Sequence, residues 1–153
     1  MTQLTQAPRA APTAAALQAT LVELIDLSLQ AKQAHWNVVG PNFRPLHEML
    51  DEFADQYREW YDAVAERLTA IGVSPDGRVA TISAQSLLDA LPEGSLADRV
   101  LVPLIEDRLG DVTRRIRTRM EDLGEHDLVS QDLLIGVIHG LEKQRWMVHA
   151  QRV

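Results

Sequence analysis

The 153-residue chain contains no cysteine. Disulfide frameworks, thiolate nucleophiles, zinc fingers and cysteine-ligated iron–sulfur clusters are therefore excluded together. Basic residues are in deficit, 15 against 22 acidic, which leaves a formal charge of −7. Such a balance is poorly suited to holding nucleic acid by neutralising phosphates. No apolar run approaches the roughly 18 residues of a membrane span. No basic segment followed by an apolar one opens the chain, so no secretory leader is expected, and there is no internal repeat. What is present is ordinary for a soluble globular protein: 46% hydrophobic and 24% charged residues. That composition excludes wholesale disorder and fibrous classes, and the length suits one domain. The expectation is a soluble, cytoplasmic, single-domain protein.

Residues 1–13 are small, polar and proline-containing, and read as a flexible tail carrying a single cation, Arg9. The folded domain is expected over 14–153. From Ala14 to Val39 there is neither glycine nor proline, and Leu17, Leu21, Leu24, Ser28, Ala31 and His35 follow the alternating four–three spacing of a packed helix. Gly40-Pro41 supplies a stop. A second helix is expected from Pro45 to Ile71, where Leu46, Leu50, Phe53, Tyr57, Trp60, Val64, Leu68 and Ile71 form one unbroken apolar stripe. A small helix is expected at Ser83–Leu91 inside a long connection. A third long helix is expected at Ser95–Leu123, kinked or begun at Pro103, and a fourth at Ser130–Ala150. Four long helices with one long middle connection make a four-helix bundle of ferritin-like topology, all-α with a short extra helix.

The second helix carries the chemistry. With His47 set at 0°, Asp51 lies at about 40°, Asp62 at about 60° and Glu66 at about 100°, whereas the apolar stripe centres near −95°. These four groups point away from the bundle core, to solvent or to another subunit. His47 and Asp51 are one turn apart, as are Asp62 and Glu66, but the two pairs stand about 16 Å apart along the helix, too far for one ion. The pairs His47/Glu66 and Asp51/Asp62 nevertheless share one midpoint, between Gln56 and Tyr57. If the helix packs antiparallel on its own copy about a two-fold axis there, each pair meets its complement on the partner, an isologous contact. His35 ends the inward stripe of the first helix where the chain turns back, and its imidazole can join the same cluster or remain a core histidine. Two histidines and three carboxylates suit Fe(II), Mn(II) or Zn(II). The sequence holds no Glu-x-x-His, so the intrasubunit di-iron site of other ferritin-like bundles is not encoded. Beside the cluster, Glu48, Glu52, Asp55 and Glu59 form a contiguous acidic stripe, either a solvated face or a surface for nucleating Fe(III) hydroxide.

These residues resemble the two signatures of the Dps proteins, the mini-ferritins named for DNA binding in starved cells. His35-Trp-Asn-Val-Val-Gly followed by Leu46-His47 and Asp51 is similar to the first. Tyr61-Asp62-Ala-Val-Ala-Glu66-Arg67 followed by Ile71-Gly72 and Pro75 is similar to the second. The resemblance implies a hollow dodecamer with a ferroxidase centre at its two-fold interfaces. One subunit would supply His35, His47 and Asp51, and its mate Asp62 and Glu66. It also implies oxidation of Fe(II) by hydrogen peroxide or dioxygen, and storage of Fe(III) oxyhydroxide inside the shell. Trp36 matches a position that intercepts stray oxidising equivalents, though it can equally pack at an interface. Glu121, Asp122, Glu125, Asp127 and Asp132 crowd the turn where the family places cation pores. The family's DNA binders commonly use Lys/Arg-rich tails, whereas this N-terminal segment has one cation. DNA binding is expected to be weak or absent. The alternatives are a nucleoid-associated, DNA-compacting protein with incidental metal binding, and a bundle holding a structural zinc.

Overall fold

The computed structural model describes residues 10–152 with the exception of Glu125. Four long helices, α1 (Ala10–Asn37), α2 (Phe43–Ala70), α4 (Asp98–Leu123) and α5 (Leu128–His149), form the bundle; a short helix, α3 (Val79–Gln85), lies in the connection between the second and third of them. No described helix is long and apolar enough to cross a membrane. Helix α2 presents Leu46, Leu50, Phe53, Tyr57, Val64 and Leu68 to the core, and all six are buried. Leu17, Leu21 and Leu24 from α1, Leu101, Leu109 and Ile116 from α4, and Leu134 and Leu141 from α5 meet them. Removing each such side chain from water contributes roughly 1.5–3 kcal/mol, which holds the four amphipathic rods together.

Several boundaries differ from expectation. Helix α1 begins at Ala10 rather than Ala14, with Pro12 in its first turn, where the missing N–H costs no hydrogen bond. The rest of the expected tail, residues 1–9, lies outside the described residues. Helix α4 starts at Asp98 and continues through Pro103, so that proline does not mark its beginning. The short helix sits at Val79–Gln85, not at Ser83–Leu91. Two interactions explain the shift. The Asp76 carboxylate accepts from the Arg78 backbone N–H at 3.1 Å and from the Thr81 hydroxyl at 2.8 Å, which nucleates the turn early. Further on, the buried Arg108 guanidinium takes the carbonyls of Asp89 and Ala90, both at 2.9 Å, and that segment is drawn out as a strap instead of coiling.

A two-residue parallel pairing was not expected. Strands β1 (Val38–Val39) and β2 (Leu96–Ala97) align Val38 with Leu96 and Val39 with Ala97. It ties the turn after α1 to the start of α4. Gly40, at φ +125°, completes the knot, because a side chain there would stand 2.8 Å from the Asp98 carboxylate. That carboxylate accepts the Asn42 backbone N–H at 2.9 Å and so fixes where α2 begins.

Candidate metal centre

The turn from α1 into α2 brings His35 and His47 face to face. Their rings stack with centroids 3.6 Å apart and planes 15° from parallel. The His35 Nδ1 lies 2.7 Å from the His47 carbonyl oxygen, and the His47 Nδ1 lies 2.8 Å from the His35 carbonyl oxygen. A carbonyl can only accept, so both Nδ1 atoms carry the proton and donate. In the neutral tautomer each Nε2 then keeps its lone pair for an external cation. A backbone carbonyl behind each ring is the usual means of orienting a ligating imidazole. His47 is further held by the Phe43 ring, 5.0 Å away. His35 is buried and His47 half-buried.

Asp51, one turn after His47, is half-exposed and ion-paired to Lys32. The hydrogen bond from Lys32 is the main cause holding its carboxyl below the usual range, and the two nearby imidazoles act in the same direction. The Lys32 ammonium also lies 5.7 Å from the centre of the Trp36 ring, which is 66% exposed. Lys32 is the functional neighbour that sequence reading passed over. Its signal was positional: it stands one turn before His35 and Trp36 on the same helix.

Asp62 and Glu66 are both exposed, with no ion pair or hydrogen bond among the described residues. Among the described residues, no three His, Asp or Glu side chains of one chain converge tightly enough to hold an ion. The most deeply buried carboxylate among the described residues, Glu23 at 1% exposure, is already bound by Arg115 and Arg119. The midpoint of α2 from Phe43 to Ala70 falls between Gln56 and Tyr57, the same point about which the two half-clusters are symmetric.

The acidic stripe of Glu48, Glu52, Asp55 and Glu59 is exposed throughout, and Glu48 accepts from Arg44 at 2.8 Å. Around the α4–α5 turn, Glu121 and Asp122 at the end of α4 and Asp132 near the start of α5 are exposed, while Glu125 is outside the described residues. Asp127 has a different task from the cation-drawing one expected of it. It caps α5, accepting from the Ser130 N–H at 3.0 Å and hydroxyl at 2.6 Å, and it pairs with Arg67 at 2.9 Å. Burial pushes its carboxyl up, but the Ser130 bonds and the Arg67 guanidinium outweigh that and hold it below the ordinary range. A carboxylate so engaged offers no free charge to a passing cation.

The ferritin-like domain family matches residues 14–153. The chain is 41% identical over 135 residues to DNA protection during starvation protein 2 of Deinococcus radiodurans, covering 88% of this chain and 56% of that protein. The crystal structure of Dps92 from Deinococcus radiodurans superposes with a TM-score of 0.92 at 38% identity, covering 94% of this chain and 87% of that one. The chain belongs to the Dps family. Dps from Microbacterium arborescens, solved in what its description calls a high iron form, aligns at a TM-score of 0.89 and 33% identity over 96% of this chain and 97% of that one. The chain spans just over half the length of the first Deinococcus relative, so activities of that whole protein are not carried over directly. Membership fixes the Dps bundle and its short connecting helix for this chain. The placement of individual ligands rests on the geometry above.

Proposed function

We infer that this Dps protein oxidises Fe(II) at sites shared between two subunits and stores the Fe(III) product in a closed shell. The observation that carries the reading is the reciprocal locking of His35 and His47. Two Nε2 lone pairs are left free one helical turn from Asp51, while Asp62 and Glu66 make no ion pair or hydrogen bond among the described residues at the symmetric position on the same helix. An antiparallel α2–α2 contact brings His35, His47 and Asp51 of one subunit to Asp62 and Glu66 of its mate. Exposed apolar side chains at the α1–α2 turn, Trp36, Val39 and Phe43, give such a contact something to bury. The iron-loaded Microbacterium relative supports iron as the substrate.

Two Fe(II) ions each give one electron to hydrogen peroxide, whose O–O bond breaks. With two waters, the products are two ferric oxyhydroxide units and four protons. The His and Asp ligands bind and orient the ions; Lys32 holds Asp51 ionised until iron displaces it. Trp36, beside the cluster, serves as a sacrificial electron donor. The carboxylates of Glu48, Glu52, Asp55 and Glu59 are the nucleation surface, and Glu121, Asp122 and Asp132 are the acids that draw cations in, with Glu125 retained from sequence alone. The shell is taken as the family's dodecamer and the compartment as the cytoplasm. Dioxygen is the alternative oxidant.

The test is anaerobic Fe(II) loading followed by peroxide, with absorbance and particle mass followed together. Rapid peroxide-dependent oxidation that mineralises within an intact particle is the expected result. Oxidation no faster than in protein-free buffer rejects the reading. DNA is repelled by the acidic balance, and a gel shift at low salt without divalent ions should leave DNA unretarded.

A further inference from the structure

A cavity of about 600 Å³ opens between the extended strap of residues 86–95 and helices α4 and α5, with no histidine in its lining. Its volume lies in the range of small-molecule sites. Four guanidinium groups line it: Arg108, Arg114 and Arg115 from α4, and Arg145 from α5.

Each has donors to spare or lacks a firmly bound counter-charge. Arg108, 8% exposed, spends its N–H groups on neutral acceptors alone, the Gln30 side chain and the carbonyls of Asp89, Ala90 and Leu104. Arg115 is paired through Nε to Glu23, but its Nη2 is buried without any acceptor. An orphaned buried donor costs about 1–3 kcal/mol, and because this one is shut off from the cavity, Arg115 contributes wall and charge there and not a donor. Arg145 makes no hydrogen bond or ion pair among the described residues. Its guanidinium lies across Gly110, where a Cβ would stand 3.3 Å from Cζ. Arg114 is tied only to Asp111, in a pair whose members are both more than half exposed, and such pairs exchange readily.

The apolar part of the lining is Leu87, Leu88 and Pro92 from the strap and Leu104 from α4. Free phosphate would leave most of this volume empty. Asp89, Asp107 and Asp111 also line the cavity, so the net field is weak and affinity must come from directed N–H donors.

We propose that this cavity binds a small organic phosphate monoester, its oxygens held by Arg145 and Arg114 and its carbon body resting on Leu87, Leu88 and Leu104. Three acceptor oxygens match donors arriving from two helices. The site is independent of iron.

The test is calorimetric titration of the full, metal-free protein with glycerol phosphate and, separately, inorganic phosphate. Saturable binding of the monoester is expected, at least tenfold tighter than inorganic phosphate. Arg145→Met and Arg114→Met should each weaken it tenfold or more. Lys143→Met, an exposed cation of α5 outside the cavity, should leave it unchanged. Gly110→Ala, which crowds Arg145 without removing it, should weaken binding several-fold and guards against misfolding of an arginine variant, with helix content checked by circular dichroism. Absence of saturable binding, full affinity in Arg145→Met, or equal affinity for inorganic phosphate overturns the proposal.

Discussion

The two ends of α2 carry the two halves of the proposed ligand set, yet they are finished differently. At the N-terminal end His47 and Asp51 are built into the subunit: the imidazole is clamped by a carbonyl and two rings, and the carboxylate is neutralised by Lys32. At the C-terminal end Asp62 and Glu66 stand exposed and make no ion pair among the described residues. One half is pre-organised and self-compensated; the other is two uncompensated carboxylates one turn apart. Like charges at that spacing are mutually unfavourable on a helix, so the bare end gains from any cation supplied from outside the subunit. The asymmetry suits the proposed shared site, in which only one half needs to be held in place before the ion arrives.

Removing the bare half has the largest expected effect. Asp62→Ala with Glu66→Ala should slow peroxide-dependent Fe(II) oxidation on the order of 100-fold or more, with particle mass retained. Loss of assembly instead would mark the acids as structural and would favour a structural-metal reading.

The helix between the two ends must stay straight for them to be symmetric, and Gly140→Ala tests that. A Cβ there would lie 2.2 Å from the Trp60 ring of α2, so the ring or the helix must move. We expect a loss of about 1–3 kcal/mol in chemical denaturation, the usual cost of overpacking. An unchanged midpoint would show that Trp60 does not brace α2 against α5.

Lys32→Met tests the self-compensated half. With the tethered ammonium gone, Asp51 loses its main stabilising partner and rises toward the ordinary carboxylate range. A divalent ion then has no internal competitor, and Zn(II) affinity at neutral pH should rise about tenfold, the scale of changing a neighbour of a ligand. Weaker binding would show that Lys32 supports the site instead of competing for it.

The smallest effects concern the moorings. Asp98 fixes the start of α2 through Asn42, and Asp127 fixes its end through Arg67. Both carboxyls titrate below their unfolded values: Asp98 chiefly because the Asn42 N–H bonds it, Asp127 because Ser130 and Arg67 outweigh its burial. A depressed folded value means stability that is fully present above the unfolded value near pH 4 and is lost as pH falls through the folded one. Thermal unfolding followed from pH 6 down to pH 2 should therefore fall less steeply in Asp98→Asn and Asp127→Asn than in the parent. A parallel decline in all three would remove these aspartates from the account.

Much of this was legible before any coordinates. The apolar stripe from Leu46 to Leu68 and the absence of glycine or proline within it determined α2, because burying one face of a 3.6-residue repeat leaves no other regular solution. The same periodicity set His47, Asp51, Asp62 and Glu66 on the outward side. The strap was not legible: Leu87, Leu88 and Leu91 look helical until Arg108, some eighteen residues on, takes the carbonyls between them. Nor was the pairing of Asp127 with Arg67, which arrives from a helix sixty residues earlier.

Sequence by itself therefore settled which faces are apolar, where helices can stop, and which residues could bind a cation, since these follow from local spacing and backbone chemistry. Only the tertiary structure decided which ring nitrogen each histidine keeps free, which carboxylates are already paired, and which arginines are left with unused donors. Those properties depend on partners distant in the chain, and a hydrogen bond exists only where folding has brought both atoms within about 3 Å of one another.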